Sequence, residues 1–154
     1  MTSPSPIVIA YDGSPQAQAA IEQAGALLKS CRAVVVYVWA PIEVAVPVSL
    51  LGEPAGVAVA GARGLDATEK RRAERVAEEG AELARHAGFA AETLAIRRDG
   101  PPWRALVKCA AEHDAAAIVT GTRSRSRPAA AVLGSTAEGV LHHAHRPVLV
   151  VSAS

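Results

Sequence analysis

Residues 7–15 read Ile7-Val8-Ile9-Ala10-Tyr11-Asp12-Gly13-Ser14-Pro15, an apolar run that passes through a turn directly into a helix start. A short β-branched run closed abruptly by turn residues predicts a buried strand over Ile7–Tyr11. Ser14 followed by Pro15 reads as an N-cap and a proline at the first helical position, where the missing N–H costs nothing. The helix beyond carries Ile21, Ala24, Leu28 and Cys31 at the spacing of one buried stripe. A strand feeding at once into a helix is the opening unit of an alternating α/β chain.

The rest of the chain repeats that unit. Ala33–Trp39 is almost wholly apolar and rich in valine, as expected for a strand covered on both faces. Pro41–Gly64 breaks the pattern with Pro47, Pro54, Gly52, Gly56 and Gly61, and is expected to be a flexible loop. A helix follows over Leu65–Ala87. Asp66 or Thr68 is its cap, Ala73, Val76, Ala77, Gly80, Leu83 and Ala84 are its inner face, and the charges of Glu69–Arg75 are its solvated side. Gly88 stands at the expected C-terminal glycine position. Ala90–Arg97 is a third strand and Asp99-Gly100-Pro101-Pro102 a second turn. Trp103–His113 is a helix with Leu106, Cys109 and Ala110 inward. Ala115–Gly121 is a fourth strand, followed by a loop over Thr122–Leu133. Gly134-Ser135 opens a helix that buries Val140 and Leu141, and Pro147–Val151 is the last strand. Right-handed crossovers leave few arrangements for such a chain. The leading one is a single α/β domain over residues 1–154, an open doubly wound parallel sheet of five strands with helices on both faces.

Composition agrees and excludes several classes. The 154 residues are half hydrophobic but only 3% aromatic, and small aliphatic residues suit helices packed closely on a sheet. The net charge of +1 provides no global field for nucleic acid or an anionic membrane surface. Cys31 and Cys109 form no Cys-x-x-Cys pair and read as small hydrophobes on the helix stripes. Neither a secretory leader nor a membrane span is legible, so the expected location is the cytoplasm.

In doubly wound sheets ligands bind beyond the carboxyl ends of the strands, where strand order reverses. Asp12 follows the first strand; Gly121 ends the fourth, and Ser135 opens the next helix behind Gly134. A helix N-terminus presents N–H groups and a partial positive charge suited to phosphate. If both sets share one crevice, strands one and four are neighbours and the order is 3-2-1-4-5. Neither a Walker loop nor a Gly-x-Gly-x-x-Gly fingerprint is present. Asp12-Gly13-Ser14 retains a second reading, as simply a turn into a capped helix.

The stretch Gly121-Thr-Arg123-Ser124-Arg125-Ser-Arg127-Pro-Ala-Ala-Ala-Val-Leu-Gly134-Ser135-Thr136 resembles the signature of the universal stress protein family: Gly, two residues, Gly, nine residues, Gly and Ser/Thr. The ending Val140-Leu-His-His-Ala-His-Arg-Pro147-Val-Leu-Val-Val151 and the opening Ile7-Val-Ile-Ala-Tyr-Asp12-Gly-Ser14 are similar to the family's ends. The resemblance implies a homodimer, formed here through the Pro147–Val151 edge strand, and in one branch of the family a bound ATP with magnesium. On that pattern Asp12 meets the ribose or adenine end, Val38 lines the base pocket and Gly121 holds the loop. Gly134, Ser135 and Thr136 bind phosphates. The sequence departs from the pattern at Ser124, which stands where the second glycine is expected. A Cβ there restricts the loop and weakens the pocket. Arg123, Arg125 and Arg127 read either as a cationic cover over a polyphosphate or as a solubilising loop.

Two functions follow. One is a regulatory nucleotide-binding module with little or no turnover. The other is a dimeric stress-response protein that binds an unknown protein partner and no ATP. An enzyme is the weakest reading. His142, His143 and His145 lack a neighbouring ligand set, Glu138 reads as a complement to the helix dipole, and no residue is assigned to orient a hydrolytic water.

Overall fold

Four residues, Ile7–Ala10, form β1, the central strand of one five-stranded sheet. A computed structural model describes residues 3–28, 30–41, 55–122 and 133–152, with side chains omitted for 55–63. The remaining elements are α1 (Pro15–Leu27), β2 (Arg32–Trp39), α2 (Ala55–His86), β3 (Ala90–Arg97), α3 (Pro102–Glu112), β4 (Ala117–Gly121), α4 (Ser135–His143) and β5 (Val148–Val151). The sheet order is 3-2-1-4-5 and every pairing is parallel, as the alternation predicts.

The register explains why the strands are apolar on both faces. Val8 lies opposite Val34 of β2 and Ile118 of β4, and these three point into a core closed by Leu106, Cys109 and Ala110 of α3 and Val140 of α4. Their neighbours Ile9, Val35 and Val119 point the other way, onto Ala20, Ile21 and Ala24 of α1 and Ala81 and Ala84 of α2. Burying each such side chain contributes about 1.5–3 kcal/mol, and period-two alternation divides that burial between two layers.

Several expectations are corrected. Helix α1 ends at Leu27; the backbone turns through a left-handed residue, Ser30 at φ 63°, so Cys31 lies beside the α1–α2 core on the approach to β2 rather than on a helical stripe. Helix α2 begins at Ala55, inside the segment expected to be a loop. Residues 42–54 of that segment lie outside the described residues. Alanines at 55, 58, 60 and 62 favour helix, and a glycine inside one costs only about 1 kcal/mol, so the glycines do not stop it. Asp66 and Thr68 are therefore interior residues, not caps; the Thr68 hydroxyl donates to the Gly64 carbonyl at 3.0 Å. Strand β4 starts two residues later than predicted, and β5 one residue after Pro147. In α4, Leu141 is 48% exposed while Val140 is buried; adjacent helical residues cannot both face a core.

Candidate functional site

The turn after β1 sets one wall of the site. Asp12 Oδ1 accepts a hydrogen bond from the Ser14 N–H at 2.9 Å, and Gly13 between them takes φ 79°, a conformation glycine adopts without strain. Ser14 is fully buried, and its Oγ accepts from the Ala17 N–H at 3.1 Å, the predicted N-cap. Tyr11 is buried beside this turn. Its N–H donates to the Val36 carbonyl at 2.9 Å and its hydroxyl to Glu79 Oε1 on α2 at 2.7 Å. Burial, reinforced by the bond to Glu79, pushes the Tyr11 phenol up to about 12, so it stays protonated and serves as a donor. Gly80 lets α2 approach this closely: a Cβ there would fall 2.5 Å from the Tyr11 ring.

The opposite wall is the end of β4 and the start of α4. A Cβ on Gly121 would meet the Gln16 carbonyl oxygen at 3.2 Å, so β4 passes directly against the first turn of α1. The Gly134 N–H donates to the Thr122 carbonyl at 2.5 Å, and Gly134 O accepts the first helical bond from the Glu138 N–H at 2.9 Å. Ser135, Thr136 and Ala137 thus form a helix N-terminal turn, whose N–H groups have no partner within the helix.

Between these walls lies a cleft of about 550 Å³ over the carboxyl ends of the strands, within the range of small-molecule sites. The structure brings Asp12, Val38, Gly121, Gly134, Ser135 and Thr136 together around it. Arg123 and Ser124, with Arg125 and Arg127, lie outside the described residues. Other lining residues went unassigned in the sequence. Tyr11 and Thr120 end in the cleft from the strands, Arg98 from the exit of β3 and Arg72 from α2. Arg72, read from the sequence as part of a solvated helix face, lines the cleft while pairing with Glu69 at 3.6 Å. A guanidinium at a helix surface carries no sequence mark of the strand ends it stands over.

The remaining reactive groups lie elsewhere. Burial, with Glu112 nearby, raises the Cys109 thiol to about 11, keeping it protonated and poorly nucleophilic. His142, His143 and His145 are exposed. His143 stacks on Trp103 with ring centroids 4.1 Å apart, and its Nδ1 lies 2.9 Å from the Gly139 carbonyl. Among the described residues no group of three or more His, Cys, Asp or Glu is placed to hold a metal ion. Nor, among them, is any helix long and apolar enough to cross a membrane.

The sheet order and the cleft at its switch point define a doubly wound α/β protein. The sequence pattern of the universal stress protein family matches residues 5–152, and the chain belongs to that family. It is similar to a universal stress protein from Thermus aquaticus encoded in the QAH/OAS sulfhydrylase 3′ region, at 33% identity over 94% of this chain and 96% of the relative. Among solved structures it resembles the universal stress protein from Archaeoglobus fulgidus in complex with dAMP. The TM-score is 0.63 and the identity 24%, over 97% of this chain and 98% of that one. It also resembles a universal stress protein in complex with cAMP, with TM-score 0.64 and 21% identity over 99% of this chain and 100% of that one.

Proposed function

We propose that this protein is a cytoplasmic regulatory module that binds a nucleotide, ATP with magnesium, in the cleft between the β1 turn and the α4 N-terminus, with little or no turnover. The observation that carries the reading is the convergence of Asp12, Val38, Gly121, Gly134, Ser135 and Thr136 on one cleft. A carboxylate acceptor faces a helix N-terminus across it, matching the hydroxyl and phosphate ends of a nucleotide. Asp12 accepts from the ribose or the base edge, the β2 end at Val38 lines the base, and Gly134–Thr136 meet the phosphates. Nucleotides bound by two structural relatives favour the same ligand class. Magnesium is usually held by one or two carboxylates together with substrate phosphates, so the chain's part is to orient those phosphates.

Affinity is expected to be weak because Ser124 stands in the place of the motif glycine. If the loop requires a left-handed residue there, an L-residue costs about 1–2 kcal/mol, or roughly five- to thirty-fold in affinity. Ser124→Gly should tighten ATP by a similar factor in a calorimetric titration. Equal affinity of the two proteins would remove the weakened-pocket element and leave the site itself.

A second reading rests on the sheet edge. The order 3-2-1-4-5 leaves β5 paired with β4 on one side only. Val148, Leu149 and Val150 are partly exposed there, and an open apolar edge suits a two-fold partner. We propose a homodimer through Pro147–Val151. A dimer that holds a protein partner and no nucleotide is the alternative function, favoured if titration with ATP shows no binding.

A further inference from the structure

Among the described residues, the charged side chains lining the cleft are one carboxylate, Asp12, and two guanidiniums, Arg72 and Arg98. The carboxylate is already engaged by the Ser14 N–H. The two cations come from elements other than α4, whose N-terminus supplies the first phosphate site of the reading above: Arg98 follows β3, and Arg72 lies on α2, which packs against β2 and β3. β3 is separated from β4 by β2 and β1, three inter-strand steps or about 14 Å. Contiguous phosphates on one 5′ chain, seated at α4, are directed away from the β3 end. A 5′-phosphate so placed leaves the two cations at the β2–β3 side without an anion from the ligand.

Arg98 is held in place. Its N–H donates to the Trp39 carbonyl at 2.8 Å, and its Nη1 donates to the Gly100 carbonyl at 3.1 Å, tying it to both β2 and the turn into α3. Arg72 enters from α2, which packs on the opposite face of the sheet from α3. Its pair with Glu69 is long, at 3.6 Å, and exposed on the arginine side, and such surface pairs are weak enough to exchange for a better anion. Two guanidiniums that line one cleft, one from the exit of β3 and one from α2, can act as a clamp. The planar fork of arginine matches a phosphate monoester with two parallel bonds. In dinucleotide-binding doubly wound folds a nearby arginine accommodates a phosphate on the ribose 2′-hydroxyl.

We propose that Arg72 and Arg98 recognise a second phosphate, carried on the ribose 2′- or 3′-hydroxyl of the bound nucleotide. The inference rests on the nucleotide reading of the cleft and extends it to nucleotides phosphorylated on the ribose as well as at the 5′ end. Calorimetric titration with AMP, ADP, adenosine 2′,5′-bisphosphate and adenosine 3′,5′-bisphosphate tests it. ADP is the control, since it carries the same two phosphates on a single chain. One of the two bisphosphates should bind about ten-fold more tightly than AMP, and more tightly than ADP; which one identifies the hydroxyl. Arg72→Ala and Arg98→Ala should each bring the ratio of bisphosphate to AMP affinity towards one. Arg98→Lys should restore part of it, keeping the charge without the fork. AMP binding with both bisphosphates no tighter would overturn the clamp and leave the nucleotide site standing. A ratio unchanged in both alanine variants would do the same. Absence of binding by all four compounds would remove the nucleotide reading and the clamp together.

Discussion

Asp12 is placed where both of its sequence readings put it. Its Oδ1 closes the turn into α1 by accepting from Ser14, and the same side chain lines the cleft. The two roles separate by substitution. Asp12→Asn keeps an oxygen for the turn and loses the charge, whereas Asp12→Ala loses both. Removing a charged acceptor costs about 1.5–3 kcal/mol, or roughly ten-fold or more in affinity. Both variants should weaken ATP in calorimetry, and only the alanine should also lower the unfolding midpoint. Full ATP affinity in both would confine Asp12 to the turn. Asp12 was legible because it directly follows a strand. Its neighbour Tyr11 was not, because its partner Glu79 is 68 residues away and local pattern says nothing of such a pairing. Tyr11 also gives a pH prediction. Its phenol is raised from 10.0 to about 12, so the folded state favours the neutral form. The stability it contributes is complete below pH 10 and lost as pH rises through about 12. A phenolate appearing near pH 12 in ultraviolet titration should be absent from Tyr11→Phe; its persistence there would assign it elsewhere.

At the level of elements, short strands ending in turn residues were legible to within one or two positions, and β3 without error. Apolar runs between Gly, Pro and Asp leave little freedom. The start of α2 carries no clear sequence mark because alanine and glycine are interspersed there, the best helix former beside a poor one. Leu141 was misplaced because two adjacent apolar residues compete for one inward position, and only packing chooses. The α3–α4 wall rests on a contact that sequence does not announce. Trp103 lies over Gly139, where a Cβ would fall 2.2 Å from the ring, and Trp103 also stacks on His143. Gly139→Ala should therefore destabilise the protein by about 1–3 kcal/mol through overpacking. In a Trp103→Ala background the same change should cost far less, since the clash is gone. Denaturant unfolding of the four proteins measures the difference, and equal costs in the two backgrounds would show that the ring does not set the spacing. Arg146, just before β5, joins these layers by donating through Nη1 to the carbonyls of Ala110, at 3.0 Å, and Ala115.

For the whole molecule, the alternation of strands and helices with right-handed crossovers leaves few arrangements, and a crevice shared by Asp12 and Ser135 selects the order 3-2-1-4-5 that the sheet has. That crevice then gathers residues scattered from Asp12 to Thr136. The family signature marked the β1 and α4 sides; the arginines at the β2–β3 side follow no motif and emerged only from the fold. The open β5 edge belongs to the same scale. Light scattering at tens of micromolar should give the mass of a dimer, and a charge at Val150 should shift it towards monomer. Leu149 and Val151 are poorer probes, since both pack on the α1–α2 core. Monomer alone at that concentration would contradict the edge pairing. The central claim is that the cleft is a nucleotide site, and it is tested most directly by titrating ATP with magnesium into the purified protein in a calorimeter. The account predicts saturable, weak binding with one nucleotide per chain; a titration without saturable heat, from protein shown to carry no copurified nucleotide, would contradict it.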